Sequence, residues 1–92
     1  MDCSVDILGQ SYDIIRQPLE DHGRCDTERK CILISESTGQ EDQTLLHEVL
    51  HAILAESGIS WIVGESEEGI VRAIEGGLWR AGYRRVVCQK GE

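Results

Sequence analysis

A basic surplus, long apolar runs and closely spaced cysteine pairs are all missing from this 92-residue chain. Nine lysines and arginines stand against seventeen aspartates and glutamates, and the resulting net charge of −8 opposes binding to nucleic acid or to an anionic membrane surface. Arg80, Arg84, Arg85 and Lys90 gather toward the C-terminus, where cations complement a helix dipole, without forming a long basic patch. No apolar run approaches the roughly 20 residues needed to span a bilayer. Met1-Asp2-Cys3-Ser4-Val5-Asp6 lacks the charged stretch and apolar core of an export signal, so the expected location is cytoplasmic. In that setting Cys3, Cys25, Cys31 and Cys88 are expected as reduced thiols. None is spaced Cys-x-x-Cys, so no structural zinc site of that kind is expected, although Cys25 and Cys31 could meet across a turn. Internal repeats and linkers are absent too, and 1–92 reads as one small domain, near the size where a single core is just sufficient.

What the chain does have is Thr44-Leu45-Leu46-His47-Glu48-Val49-Leu50-His51-Ala52-Ile53, a His-Glu-x-x-His motif inside an apolar helical run. Residues i and i+4 of a helix lie one turn apart on one face, so His47 and His51 can direct two imidazole nitrogens at one metal ion. Glu48 is rotated roughly 100° from His47, beside such an ion and not on it, where a general base takes a proton from an activated water. This is the arrangement of zinc peptidases. Its surroundings comply: Thr44 stands three places before the first histidine, Val49 and Leu50 keep the interior uncharged, and Ile53 follows two after the second. The plainer alternative is an amphipathic helix whose histidines merely edge the core.

The rest of the chain reads as α+β. Val5-Asp6-Ile7-Leu8 and Tyr12-Asp13-Ile14-Ile15-Arg16 form a hairpin across Gly9-Gln10-Ser11, and Pro18 ends the second strand. Glu20 to Lys30 is polar and reads as a loop, with His22 exposed in it. Cys31-Ile32-Leu33-Ile34-Ser35 is a third, buried strand, completing a three-stranded sheet. Thr38-Gly39-Gln40-Glu41 fits a capping box that opens the first helix, whose core stripe is Leu46, Val49, Leu50, Ile53 and Leu54 and whose end is Gly58. Ile59 to Gly64 is a connector expected to fold back over the core. A second helix starts at Ser66 with Glu67 and Glu68 in its first turn, presents Ile70, Val71, Ile74 and Leu78, allows close helix approach at Gly76-Gly77, and ends at Gly82. Beyond it, Tyr83 to Glu92 fits either a frayed helix end or a short strand through Val86-Val87-Cys88.

His47 and His51 sit at the edge of their helix's apolar stripe, so a metal is expected beside the helix–helix contact, with a third ligand that flanks its own stripe. On the second helix Glu67 falls in line with the apolar residues, while Glu68 and Glu75 lie roughly 80–120° to one side. That disfavours Glu67, which stays a third candidate behind Glu68 and Glu75.

Three strands, a helix carrying His47-Glu48-Val49-Leu50-His51 and a helix carrying Glu67-Glu68-x-x-Val71-Arg72 resemble the short phage-type zincins related to the ImmA/IrrE family of metallo-endopeptidases, over roughly Val5 to Leu78. The resemblance implies a minimal zincin-like fold, a small three-stranded sheet packed on two helices, with zinc as cofactor. It favours Glu68 as third ligand, because Glu68 matches the family's position just before the Val-Arg pair. The activity implied is hydrolysis of a peptide bond in a cytosolic protein, in the host cytoplasm if the chain is phage-encoded, with Glu48 as general base. An extended peptide would pair with a sheet edge, and Tyr83 is a candidate to stabilise the oxyanion. A second class of function keeps the metal without the chemistry: a zinc-stabilised binding module that sequesters a protein partner.

The motif predicts one zinc per chain. Metal content after mild purification should fall in both His47→Ala and His51→Ala, and a chelator should lower the parent's melting temperature, because zinc binds the folded state preferentially. Unchanged stoichiometry in both variants would refute the assignment.

Overall fold

In the computed structural model, which describes residues 3–36 and 39–83, four strands precede three helices. They are β1 (Cys3–Ile7), β2 (Gln10–Gln17), β3 (Gly23–Asp26), β4 (Cys31–Ser35), α1 (Glu41–Ser57), α2 (Ile59–Val63) and α3 (Glu67–Arg80). Alternation along β1 and β2 sends Val5, Ile7, Tyr12 and Ile14 to one face, where they join Ile32 and Ile34 of β4 in the core beneath α1. The hairpin closes through Leu8 and Gly9, both at positive φ (53° and 90°), with the Gly9 N–H donating to Asp6 Oδ1 at 2.7 Å. A two-residue turn of this hand matches the strand twist. Leu8 therefore belongs to the turn and not to the strand, and it is exposed.

The sheet is a four-stranded mixed one, in the order β1-β2-β4-β3, and not the expected three-stranded sheet. Gly23–Asp26, expected as loop, pairs antiparallel with β4, while β2 runs parallel to β4 on its other side. An edge strand needs backbone pairing on one side only, and in four residues with one apolar side chain there is no two-residue hydrophobic period to read. Cys25 alone of them packs on the core. It pairs with Ile32, and Cys31 with Asp26, so the two thiols project from opposite faces and do not meet as expected. Both are free. Cys3 is disulfide-bonded, which corrects the expectation of a fully reduced set.

α1 buries Thr44, Leu45, Glu48 and Ala52. This line is turned from the expected stripe, of which Val49 and Ile53 pack against the core partly buried. Small residues at Thr44 and Ala52 let the helix lie close on the sheet, Leu45 is buried with them, and Leu46, Leu50 and Leu54 are only half-buried. The helix opens at Gln40 without a side-chain cap, and Glu41 binds Arg16 Nε at 2.6 Å instead of reaching back. Thr38, the other half of the expected box, lies outside the described residues. Gly58 (φ 84°) ends the helix as expected. The connector after it is the short helix α2, and it does not cover the core: Trp61 is 92 % and Ile62 82 % exposed.

α3 fully buries only Val71, and Ile74 of the expected stripe is exposed. A Cβ at Gly76 or Gly77 would meet nothing within 4 Å, so the expected close approach does not occur there. At its end the N–H groups of Gly82 and Tyr83 donate to Trp79 and Leu78 carbonyls at 3.1 and 3.0 Å, with Gly82 at φ 96°. This is a Schellman closure. The arginine and lysine cluster at 84, 85 and 90 and the strand considered at 86–88 lie outside the described residues. Among the described residues no helix is long and apolar enough to cross a membrane.

Tyr12 ties the layers together. Its ring is fully buried, its hydroxyl donates to Glu56 Oε2 of α1 at 2.6 Å, and Lys30 Nζ reaches the same oxygen at 2.6 Å. Burial first, then the Glu56 hydrogen bond and charge, raise the Tyr12 phenol above its ordinary value. Burial, then the Glu48 charge, push the Cys25 thiol up to about 12. Groups raised in the folded state contribute stability that is complete below their unfolded pKa and is lost as pH rises through the folded one. Melting temperature should therefore decline above about pH 9, where unfolded thiols and phenols ionise first. In a Tyr83→Phe background the tyrosinate absorbance of Tyr12 should appear only together with loss of helical ellipticity; a Tyr12 that ionises near pH 10 with the fold intact would contradict this.

Candidate metal centre

α1 and α3 meet along a polar seam. His47 and His51 stand one turn apart on α1, their ring centroids 4.9 Å apart and their planes at 61°. Opposite them, residues four apart on α3 recur on one face, so Glu67, Val71 and Glu75 line up, with Glu68 beside them. Val71 supplies the apolar contact and the three carboxylates take the imidazoles. Glu68 spans the pair: its Oε1 lies 2.8 Å from His51 Nε2 and its Oε2 3.4 Å from His47 Nε2. The other ring nitrogens are taken separately, His47 Nδ1 by Glu75 at 2.7 Å and His51 Nδ1 by Glu67 at 2.6 Å.

One donor atom from each of His47, His51 and Glu68 lies within 4.8 Å of the other two. Donors of a tetrahedral zinc ion at about 2.1 Å are about 3.4 Å apart, so this set needs only small side-chain shifts to close on an ion. Two imidazoles and one carboxylate are also the donor chemistry that zinc takes with a position left open. The residues fit. The cluster lies in the helix–helix contact, not beside it as expected, and Glu67, expected to point into the apolar stripe, reaches His51.

Glu48 is not part of the cluster. It is 8 % exposed on the face of α1 that meets the sheet, and it lines two hollows. One, of about 630 Å³, also includes His51, Cys25, Arg24, Lys30 and Trp61. The other, of about 620 Å³, includes His22, His47, Glu68, Arg72 and Glu75. Burial raises the Glu48 carboxyl above the ordinary range, Glu68 and Glu75 add to it, and the two imidazoles work against it. Burial alone would lower His51, but hydrogen bonds to Glu67 and Glu68 outweigh it and raise the imidazole. Conversely burial alone would raise Glu67 and Glu68, and the hydrogen bond to His51 brings both below the ordinary range.

No family model, no characterised protein and no solved structure matches this chain.

The structure thus brings His47, His51 and Glu68 together and sets Glu48 beside them. His22, expected as a bystander, lies at the rim of the second hollow. Tyr83 does not reach the site: it is 65 % exposed and borders an apolar hollow with Leu45, Leu46, Val49, Leu78 and Trp79. Glu67 and Glu75 as simultaneous imidazole partners escaped the sequence reading, although their spacing of eight, two turns of one face, carried the signal.

Gly23 sets the distance between β3 and Glu48. A Cβ there would lie 2.6 Å from Thr44 Cγ2, 3.0 Å from the Leu33 carbonyl oxygen and 3.5 Å from Glu48 Cγ. Gly23→Ala should destabilise by about 1–3 kcal/mol in denaturant unfolding, the usual cost of overpacking. Thr44→Ser, which removes the nearest methyl, should recover part of that loss in the double variant; a neutral or stabilising Gly23→Ala would show that the approach is slack.

Proposed function

We propose that the protein is a zinc-dependent metallopeptidase in which His47, His51 and Glu68 hold the ion and Glu48 is the general base. The observation that carries this reading is the convergence of both Nε2 atoms on the Glu68 carboxylate, with Glu48 on the same helix at the floor of the adjoining hollows. The resemblance of the motif and the following helix to the short phage-type zincins supports it. A bound ion would supply Lewis acidity, acidifying water and polarising a peptide carbonyl. Glu48 would take the proton from the attacking water and return it to the leaving amine nitrogen. Its partly desolvated position suits the exchange, since a carboxyl raised above its ordinary range both accepts and returns a proton more readily near neutrality.

For the substrate, β3 pairs with β4 alone among the described residues, so its outer edge is open to an extended peptide. The two hollows flanking Glu48 would receive side chains on either side of the scissile bond. Arg72, which donates to Glu68 Oε2 at 2.9 Å, holds that carboxylate from the solvent side. A cytoplasmic protein substrate belongs to the same proposal, and the disulfide at Cys3 weighs against the reducing setting, because disulfides persist under oxidising conditions.

The binding-module reading is favoured by a different observation. Ile59, Trp61 and Ile62 expose an apolar surface on α2, 40 %, 92 % and 82 % respectively, at the edge of the hollow that contains His51. A single variant separates the two. Glu48→Gln should keep zinc and lose hydrolysis of a peptide library by a factor of about 10² or more. Loss of zinc in that variant would remove Glu48 from the role of base, and parent protein that holds zinc without cleaving any peptide would favour the binding module.

A further inference from the structure

Three carboxylates face two imidazoles, but only Glu68 faces both Nε2 atoms, while Glu75 and Glu67 each take one Nδ1. Glu75 has both oxygens committed: Oε1 to His47 Nδ1 at 2.7 Å and Oε2 to the Gln43 side-chain amide at 2.7 Å. Gln43 stands one turn before His47 on α1, so the helix that carries the histidine also clamps the carboxylate that holds it. Glu67 is used in the same way, with Oε2 on His51 Nδ1 at 2.6 Å and Ser60 of α2 as a further hydrogen-bond partner. Both carboxylates are well covered, with 14 % and 22 % of the side chain exposed, against 47 % for Glu68.

We propose that Glu75 and Glu67 are positioning residues, each holding one imidazole by its Nδ1 so that both Nε2 atoms are presented to one metal ion, and that neither is a ligand. A neutral imidazole carries one N–H and one lone pair. A carboxylate at Nδ1 keeps a proton on that nitrogen and fixes the ring plane, so an ion that replaces the proton shared between His51 Nε2 and Glu68 Oε1 would meet the Nε2 lone pair. The two rings are held by different partners from different places, Glu75 with Gln43 at one end of the seam and Glu67 with Ser60 of α2 at the other. Each ring is therefore aimed independently. The inference rests on the metal-centre reading above.

The test is zinc affinity by competition with a chelating dye, with metal stoichiometry and the melting temperature of the chelated protein measured alongside. Glu75→Ala and Glu67→Ala should each weaken zinc about 10–100-fold while stoichiometry stays at one per chain, the range found when outer partners of ligating histidines are removed. Glu68→Ala should cost more than either. Glu75→Gln should retain most of the affinity, because its amide oxygen still accepts from His47 Nδ1 and the Gln43 amide can turn to present its oxygen, whereas a neutral amide in place of a ligating carboxylate would not. Gln43→Ala should weaken zinc in the parent and add little in Glu75→Ala, since it acts through the same carboxylate. Parent-like affinity in both alanine variants overturns the inference and leaves the metal-centre reading intact. A Glu75→Ala or Glu67→Ala loss exceeding that of Glu68→Ala overturns it by making that residue the ligand. A parent that takes up no zinc overturns both.

Discussion

The imidazole–carboxylate seam between α1 and α3 is the contact on which the docking of α3 depends. Val71 is the only fully buried residue of α3, so apolar packing alone gives that helix little hold on the rest of the fold. Leu78 and Trp79 are half-buried beside Leu45, Leu46 and Val49 of α1, and the rest of the contact is polar: Gln43 and His47 to Glu75, His51 to Glu67, and Glu68 between the two rings. Glu67 and Glu68 crowd one helix face, and the hydrogen bonds to His51 outweigh their burial and mutual repulsion, holding both carboxyls below the ordinary range. A divalent cation at the Nε2 atoms would add to that attraction. On this reading, docking of α3 and binding of the ion are one linked equilibrium, and the site is also the element that completes the tertiary structure.

The other half of the site is built into the packing of α1 on the sheet. Glu48 follows His47 by one residue and so turns away from the seam toward β3, where Gly23 leaves just enough room for it. The same contact that buries Thr44, Leu45 and Ala52 desolvates the Glu48 carboxyl and raises its affinity for a proton. Here one helix presents its core residues and the carboxylate to the sheet, and its histidines to the neighbouring helix.

Much of this was legible in the chain itself. The hairpin, the buried β4, the extent of α1 and its glycine end, and the glycine closure of α3 follow from patterns that act over a few residues: alternation, turn chemistry and the left-handed conformation open to glycine. β3 was not legible, because Gly23-Arg24-Cys25-Asp26 is held by backbone bonds to β4 and by its fit under α1, neither of which leaves a hydrophobic period. The turned face of α1 was missed for a related reason. Leu46, Leu50 and Leu54 look like core by composition, but a helix with the sheet on one side and another helix on the next spreads its apolar residues over a wide arc and keeps its smaller ones at the closest approach.

For the site, the His-Glu-x-x-His spacing by itself determined that two imidazoles share a face of α1 and that Glu48 lies off it, since helical geometry repeats every 3.6 residues whatever the surroundings. It did not determine how the glutamates of α3 divide their work. Glu67, Glu68 and Glu75 are chemically identical, and although Glu67 stands roughly 80–100° from the other two on a helical wheel, a glutamate side chain is long enough to reach across that arc. Only the docking of α3 decided among them, by placing Gln43 and Ser60 where they occupy two of the carboxylates and leaving Glu68 facing both Nε2 atoms. Local geometry sets which residues share a face; which of them meet, and through which atom, depends on the rotation and offset of one helix against another, and those are fixed by contacts far apart in the chain.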